Sequence, residues 1–467
     1  MNRYITITEG ENNMNIGWYK LLAAVTATPL LALSAGAGLI TLTAELEKPV
    51  LPADTRQDAL IKIAIVAPEG TVEKTQRAAL NLAIVLDRSG SMGSQHKLEK
   101  ARDAAVEAVK MLRDGDVFSL VVYDDNVNTL VDAVPVNEER KTDIVEQIRR
   151  IQPGGSTALF AGVSVGANEL RKNSRENFVN RLILLSDGLA NVGPGTPQEL
   201  GRLGGSLIKE KISVSTVGVG SDYNEDLMTA LSQNSDGNFY FVENSNDLPL
   251  IFSKELGSAL KVAAKSIRVR ITCPEGVRPK GILGHECRIN GNTLEMDFNQ
   301  VYRGHEKSLI LEVEAPPRPD GAGEELATVE VNCTAADGSS ADRLQHRIIA
   351  SFTADRSRVA SNINRKVQAD IAVQQGAVLR EAALKDADAG NFGAAQEKLK
   401  TAAQNINAAA AATGDAGLKK QAEALTKRQD ELSQSRNNPT LYKEVRKKTK
   451  GESYQYRNAQ IYNQAEQ

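Results

Sequence analysis

The pattern of apolar and polar residues changes twice along the chain. From residue 80 to about residue 264, apolar runs of strand length alternate with segments of helical period, which is typical of a parallel sheet covered on both faces. The predicted strands are residues 80–86, 117–123, 129–136, 181–186, 212–219 and 238–242. An apolar stripe at spacings of three and four predicts a helix that packs on the sheet, through Leu98, Ala101, Ala105, Val109 and Leu112.

One connection in this region is too short for a parallel crossover. Only five residues, 124–128, link the second and third predicted strands. These two strands are therefore expected to form an antiparallel hairpin in a mostly parallel sheet. Asp124 and Asp125 are interpreted as turn residues of this hairpin rather than as metal ligands.

Beyond residue 264 the pattern changes to the alternation of half-buried strands. It predicts strands over residues 266–273, 293–298, 307–316 and 326–335, and these are typical of a β-sandwich. Residues 59–67 also have strand character, but they precede the α/β region and lack a crossover helix. We therefore expect the α/β domain (residues 80–264) to be inserted in a sandwich formed by residues 45–79 and 265–354.

From about residue 355 the chain is rich in Ala, Gln, Lys and Glu, and its periodicity favours helices. We predict a helical bundle over residues 355–436. The last segment, residues 437–467, shows little apolar periodicity and is predicted to be a mobile tail. Its basic run KEVRKKTK is expected to be solvated.

The N-terminal region, residues 1–44, contains an uncharged apolar segment. Residues 21–43 follow Lys20 and precede Glu45 and Glu47, an arrangement that directs the downstream chain out of the cytoplasm. The segment is long enough to span a bilayer once, and it also contains a small-residue cleavage site, Ala35-Gly36-Ala37. A membrane anchor and a cleaved signal peptide both stay open, so we expect the protein in the periplasm, at the cell surface or anchored to the membrane.

Composition adds three limits. A length of 467 residues with 41% hydrophobic and 25% charged residues indicates a folded protein of several domains. The net charge of -3 gives no basis for nucleic-acid binding. Cys273, Cys287 and Cys333 lack the paired spacing of a zinc site, while a disulfide between the first two and three free thiols are both compatible with the sequence.

Candidate chemistry lies where the predicted strands end. Asp87 and Asp187 each follow a buried strand, and Thr157 follows the glycine pair in GGST. Loops at the carboxyl ends of parallel strands gather at one edge of the sheet, so these residues are expected to converge there with Ser89 and Ser91. Their hard oxygen atoms favour Mg²⁺, with Mn²⁺ or Ca²⁺ as alternatives. Because hydroxyl groups do not neutralise the cation, it retains an attraction for an acidic side chain of another molecule.

These residues resemble a known family. The motifs DRSGS at 87–91, Thr157 after GGS, and SDG at 186–188 are similar to the von Willebrand factor type A domain and its metal-ion-dependent adhesion site. The resemblance covers residues 80–264 and implies a Rossmann-like fold. It also implies that Ser89, Ser91 and Thr157 coordinate the metal, with Asp87 acting mainly through water and Asp187 directly or through water.

A narrower resemblance concerns residues 218–228 and the flanking β region. They look like a bacterial exported group related to inter-alpha-trypsin inhibitor heavy chains and calcium-activated chloride channel regulators. The resemblance implies a metal-dependent adhesion or assembly module whose partner is a protein with an exposed Asp or Glu. The single hydrophobic segment cannot line a pore alone.

Two other functions compete with this one. An envelope scaffold that acts through its helical C-terminal region stays open as an alternative. A hydrolase is disfavoured, because a phosphatase of the haloacid dehalogenase type needs a second acid at position 89, where this chain has Ser. The sequence also lacks a G-x-S-x-G elbow and a Walker A loop, and His96 is interpreted as an exposed residue at a helix start. We therefore predict no enzymatic activity.

Overall fold

The computed structural model describes residues 38–69 and 77–458, and the structural statements that follow refer to these residues. From Leu39 onward they belong to one compact unit. The strands are β1 (Thr41–Leu46), β2 (Val50–Pro52), β3 (Gln57–Val66), β4 (Ala79–Asp87), β5 (Val117–Tyr123), β6 (Val127–Pro135), β7 (Phe178–Ser186), β8 (Ile212–Val219), β9 (Phe239–Val242), β10 (Val262–Thr272), β11 (Arg278–Ile282), β12 (Arg288–Asn290), β13 (Thr293–Tyr302), β14 (Glu306–Ala315), β15 (Gly323–Ala335) and β16 (Ala341–Thr353). The helices are α1 (Lys97–Met111), α2 (Glu138–Arg149), α3 (Leu159–Arg171), α4 (Pro197–Leu207), α5 (Glu225–Asn234), α6 (Leu248–Ala259), α7 (Arg356–Ser361), α8 (Arg365–Asp388), α9 (Phe392–Thr413), α10 (Ala416–Ser435) and α11 (Pro439–Arg457).

The α/β sheet has six strands in the order β6-β5-β4-β7-β8-β9. Five of them are parallel, and β6 at one edge is antiparallel to β5. The strands β4, β5, β7 and β8 are buried over nearly their whole length, because helices cover both faces of the sheet. Helices α1, α2 and α6 pack on one face and α3, α4 and α5 on the other. The predicted Rossmann-like sheet with one antiparallel edge strand is confirmed.

Two further sheets form the β-sandwich, and all their strand pairs are antiparallel except that of β2 with β16, which is parallel. One has the strand order β1-β3-β14-β11 and the other β12-β13-β10-β15-β16-β2. Strand β3 pairs along its whole length with β14, from Gln57 opposite Ala315 to Val66 opposite Glu306. Because β3 precedes the α/β sheet in sequence and β14 follows it, the α/β domain is inserted in the sandwich, as predicted.

The N-terminal boundary of the sandwich differs from the prediction. The apolar segment at residues 21–43 was expected to lie wholly in a signal peptide or membrane anchor. Residues 41–46 instead form β1, which pairs with β3, and Ile40 and Ala44 are buried in the sandwich core. The end of the segment therefore supplies a sandwich strand, while residues 1–37 lie outside the described residues. No helix of the described ranges has the length and apolar character that a bilayer span requires.

The C-terminal region is helical to Arg457, and the predicted mobile tail at residues 437–467 is wrong for residues 439–457. Helix α11 packs on α8 and α10 and also contacts β9 and α5. Within the basic run, Val445, Lys447 and Thr449 are buried, so the run is not solvated as a whole. The physical reason is charge pairing, since Lys447 is 2.6 Å from the Glu225 carboxylate of α5.

The structure also shows the pairing state of the three cysteines and the role of Asp124 in the hairpin turn. Cys273, Cys287 and Cys333 are all unpaired, the first and last of them buried in the sandwich. In the turn between β5 and β6, the Asp124 side chain accepts a hydrogen bond from the backbone of Asn126 at 2.8 Å. The interpretation of Asp124 as a turn residue is confirmed.

Candidate metal centre

The candidate site lies at the carboxyl ends of β4 and β7, the two neighbouring central strands of the α/β sheet. The apolar run of β4 ends at Asp87, and a short 3-10 turn at Gly90–Gly93 leads toward α1. The backbone N–H of Arg88 donates to Tyr123 O at 2.9 Å, which continues the pairing with β5 by one residue. The serines of the motif therefore leave the sheet where its strands stop.

Asp87 is fully buried, and both of its carboxylate oxygens are occupied. Its Oδ1 accepts a hydrogen bond from the backbone N–H of Ser89 at 2.8 Å, and its Oδ2 accepts one from Ser186 Oγ at 2.6 Å. Burial raises the pKa of Asp87 to about 6, and the hydrogen bonds from the two serines oppose this shift. The carboxylate is thus held in one orientation by donors from two loops.

The two motif serines connect Asp87 to Asp187. Ser89 Oγ and Ser91 Oγ are 3.2 Å apart and share a hydrogen bond. Ser91 Oγ donates to Asp187 Oδ1 at 2.7 Å. Ser89 and Asp187 are buried, whereas Ser91 is exposed, so solvent or a partner reaches this group of oxygens from the side of Ser91.

Thr157 reaches the same point on a third loop. This loop is tied to the first, since Gly154 N–H donates to Arg88 O at 2.7 Å and Gly90 N–H donates to Gly155 O at 3.1 Å. A Cβ atom added to Gly188 would lie 2.9 Å from Thr157 Oγ1 and 3.7 Å from Ser91 Oγ. The glycine after Asp187 therefore leaves the space in which these hydroxyl groups approach each other.

The structure thus brings all five predicted residues to one end of the sheet. The donor set of three hydroxyls and two carboxylates matches the hard oxygen ligands of Mg²⁺, and it contains neither thiolate nor imidazole. Among the described residues, no group of three or more His, Cys, Asp and Glu side chains could hold a metal ion. A site of this kind would depend on serine and threonine hydroxyls for most of its ligands.

Sequence reasoning missed Lys97 and Ser186. Lys97 Nζ lies 2.7 Å from Asp187 Oδ2, and the side chains of both residues are buried. Lys97 is the first residue of α1, where the positive end of the helix dipole disfavours a cation. A lysine at this unfavourable position, directly after the motif, indicates that a carboxylate lies beside it, and this signal was present in the sequence. Ser186, in contrast, lies at the end of a buried strand and gives no separate signal.

Two other residues near the motif have structural contacts. Asp125 Oδ1 accepts from the backbone N–H of Ser156 at 3.0 Å and so supports the loop that carries Thr157. His96 is exposed at the start of α1 and pairs with Glu99 at 2.9 Å, as expected for a surface residue.

Residues 81–254 match the sequence profile of the family described as von Willebrand factor type A domain. The chain therefore contains a von Willebrand factor type A domain. Domains of this family are in general protein-interaction modules without enzymatic activity, and the predicted resemblance of this region to the family is confirmed.

Relatives share this domain at low identity. The chain is 26% identical to the protein YfbK of Escherichia coli (strain K12) over 263 residues, which cover 55% of this chain and 45% of that protein. It is 29% identical over 196 residues to the protein sll0103 of Synechocystis sp., covering 42% of this chain and 44% of that protein. The inter-alpha-trypsin inhibitor heavy chain H3 of Rattus norvegicus is 27% identical over 164 residues, or 34% of this chain and 18% of that protein. The chain thus spans less than half of these relatives' lengths, and its likeness to the heavy chains is as predicted.

Solved structures support the fold beyond the single domain. The von Willebrand factor type A protein from Catenulispora acidiphila aligns with a TM-score of 0.69 and 18% identity, over 85% of this chain and 91% of that chain. The ArnB paralog VWA2 from Sulfolobus acidocaldarius aligns with a TM-score of 0.58 and 15% identity, over 89% of this chain and 99% of that chain. At these identities the likeness shows a shared fold.

Proposed function

We propose that this protein is a metal-dependent adhesion or assembly module of the bacterial cell envelope, and that it captures an acidic group of a partner protein through a divalent cation. The observation that carries the proposal is the convergence of three hydroxyl groups and two buried carboxylates, from three loops, at one end of the sheet. The interaction role that is general for the domain family supports it.

The residues present would hold the ion as follows. Ser89, Ser91 and Thr157 supply neutral oxygens, and Asp87 and Asp187 bind directly or through water. Mg²⁺ is the first choice, with Mn²⁺ or Ca²⁺ as alternatives. Since Mg²⁺ prefers six oxygen ligands and these residues supply five, one position would stay open for a carboxylate, which the partner supplies as Asp or Glu.

The surroundings of the site suit a partner protein better than a small substrate. Leu189, two residues after Asp187, is 58% exposed, and an apolar side chain beside a polar centre is a typical contact in a protein interface. We also propose that the chain carries out no catalysis. Among the described residues, the hydroxyl groups of Ser89 and Ser91 have carboxylate and hydroxyl hydrogen-bond partners and no histidine to take their protons.

The envelope location is part of the proposal and rests on the N-terminal sequence. Residues 21–37 are apolar and uncharged and follow Lys20, which supports export by a cleaved signal peptide or retention by a single membrane anchor. N-terminal sequencing of the mature protein distinguishes these two, and an intact segment would exclude cleavage.

The test of the function is metal titration followed by capture of a partner. Isothermal titration of the full chain with MgCl₂ should show one site, and Asp87→Ala should remove it. The immobilised protein should then retain an envelope protein from extract in Mg²⁺ and release it in EDTA. Leu189→Ser is the companion variant, for which we expect unchanged Mg²⁺ binding and weaker capture.

Two results would contradict the proposal. Absence of Mg²⁺, Mn²⁺ and Ca²⁺ binding to the wild-type chain would refute the metal centre. Capture that is equally strong in EDTA and in the Asp87→Ala variant would show that the partner binds elsewhere, as the alternative of a scaffold acting through the helical region requires.

A further inference from the structure

A buried lysine is part of the candidate metal centre. The side chain of Lys97 is 8% exposed, and its Nζ lies 2.7 Å from Oδ2 of Asp187, whose side chain is fully buried. Gly220, with φ of +73°, lies against the end of this side chain, since a Cβ atom at that position would be 3.5 Å from both Cε and Nζ of Lys97. The ammonium group is therefore enclosed on one side by backbone and on the other by a carboxylate.

Without its partner Asp187, the buried position of Lys97 would be unfavourable. A buried ammonium loses its hydration, and at the first residue of α1 it also meets the positive end of the helix dipole. Asp187 compensates both costs. The reverse also holds, because Asp87 and Asp187 are two buried carboxylates in adjoining strand ends, and Lys97 neutralises one of them.

The charges in the site have a simple consequence. Two carboxylates and one ammonium leave one net negative charge, and a divalent cation would convert this to one net positive charge. One carboxylate from outside would then make the site neutral. The nearby pair of Arg88 and Asp124, 2.8 Å apart, is neutral by itself, and Asp125, which accepts from Ser156 N–H, is exposed so that solvent screens its charge.

We propose that Lys97 sets the charge of the metal centre, so that it weakens binding of the divalent cation and gives the loaded centre the positive charge that attracts a carboxylate. This inference rests on the proposed function and deepens it. In a chain without Lys97, the loaded centre would be neutral and would bind the cation more tightly and an acidic partner less tightly.

The test compares the full-length wild type with Lys97→Met, which keeps the length of the side chain and removes its charge. Isothermal titration with MgCl₂ gives the affinity for the cation, and the same titration in potassium acetate measures how a carboxylate strengthens it. We expect Lys97→Met to bind Mg²⁺ at least tenfold more tightly. Acetate should improve Mg²⁺ binding severalfold in the wild type and have no effect in Lys97→Met.

Two matched controls keep the positive charge at position 97. Lys97→Arg retains a cation beside Asp187 and should preserve the acetate effect. Lys100→Met removes a lysine of the same helix whose side chain is 28% exposed and whose Nζ lies 3.6 Å from Asp103, and it should behave as the wild type. Lys97→Gln serves as a second neutral variant in case Lys97→Met fails to fold.

Thermal melting separates a charge-setting role from a purely structural one. In EDTA, Lys97→Met should melt at a lower temperature than the wild type, because both carboxylates are then uncompensated. Addition of MgCl₂ should raise the melting temperature of Lys97→Met more than that of the wild type. A lysine with only a structural role would lower the melting temperature and leave the Mg²⁺ affinity and the acetate effect unchanged.

The outcomes distinguish this inference from the proposed function. Equal Mg²⁺ affinity in wild type and Lys97→Met, or an acetate effect that persists in Lys97→Met, overturns the role of Lys97 and leaves the metal centre standing. Mg²⁺ binding by Lys97→Met alone supports the role of Lys97 and overturns metal-dependent function in the wild type. Absence of binding in every variant overturns both.

Discussion

A single carboxylate organises the candidate site at the residue scale. Asp87 joins the loop after β4 to the end of β7, because it accepts hydrogen bonds from Ser89 and from Ser186. The five proposed ligands can be predicted from sequence, since the motif places oxygen-bearing side chains directly after buried strands. Lys97 was not found, because its contact with Asp187 depends on how α1 returns over the strand ends.

The first prediction at this scale ranks the ligands by charge. Asp87→Asn keeps the size of the side chain and loses its charge, so we expect Mg²⁺ binding to weaken on the order of 100-fold. Ser89→Ala removes one neutral oxygen that water can replace and should cost about tenfold. Ser94→Ala is the matched control, because its exposed hydroxyl donates to the backbone O of Ser91 at 2.8 Å and belongs to none of the proposed ligands. Calorimetric titration checks the order, and a larger loss for Ser89→Ala than for Asp87→Asn would refute it.

Charge pairs add to apolar contacts in docking α11 at the element scale, where Tyr454 is buried in the α/β core with its ring 5.8 Å from that of Phe239. Arg446 contacts Asp226 at 2.7 Å and Asp388 at 2.8 Å, so it joins the α/β domain to α8. Lys447 donates to Tyr223 O at 2.9 Å and to Glu225 at 2.6 Å. Residues 437–467 have no apolar stripe, and their pattern therefore predicts a tail. Ion pairing across domains is set by tertiary structure, so periodicity could not reveal it.

The second prediction concerns this docked helix. Lys447→Met leaves the buried Glu225 carboxylate with one fewer cation, so we expect a loss of about 3 kcal/mol in the free energy of unfolding. Lys443→Met is the control on the same helix, since Lys443 is 58% exposed and lies 3.6 Å from Asp222, and it should change stability by less than about 0.5 kcal/mol. Urea unfolding measures both. Equal stability of the two variants would show that α11 is held by other contacts.

The strands likewise divide into those that the local sequence pattern predicts and those that depend on tertiary structure. All six strands of the α/β sheet could be predicted, because buried runs and helical spacing alternate. In the sandwich, β2 and β12 have only three residues each, too few for a pattern to appear. Strand β16 was missed because the first half of its 13 residues is largely exposed, and only its last residues alternate with buried positions.

The three parts of the whole molecule meet around one histidine. His285 follows β11 of the sandwich, and Asp236 of the α/β domain and Arg457 of α11 both act on it electrostatically. Its neighbour Gly284 lies against Arg457, since a Cβ atom there would be 3.4 Å from the guanidinium Nε. The His285 Nε2 atom is buried and has no hydrogen-bond partner among the described residues. The junction therefore contains an imidazole for which burial outweighs the groups that favour its protonation, Asp236 and the backbone of Arg457.

The last prediction follows from this junction and concerns acid stability. Burial, with Arg457 and Lys307 as like charges, lowers the pKa of His285 from 6.5 to about 4, while Asp236 acts in the opposite direction. Between these two pH values the unfolded chain binds a proton at His285 that the folded chain does not, so the free energy of unfolding falls as pH falls from 6.5 to 4. The full effect is about 3 kcal/mol. Urea unfolding at several pH values should show that His285→Gln loses less stability than the wild type across this window. The comparison isolates His285, because carboxylates elsewhere titrate equally in both proteins. Parallel pH profiles would mean that His285 is protonated equally in the folded and unfolded chains, and the junction would then owe its acid response to other groups.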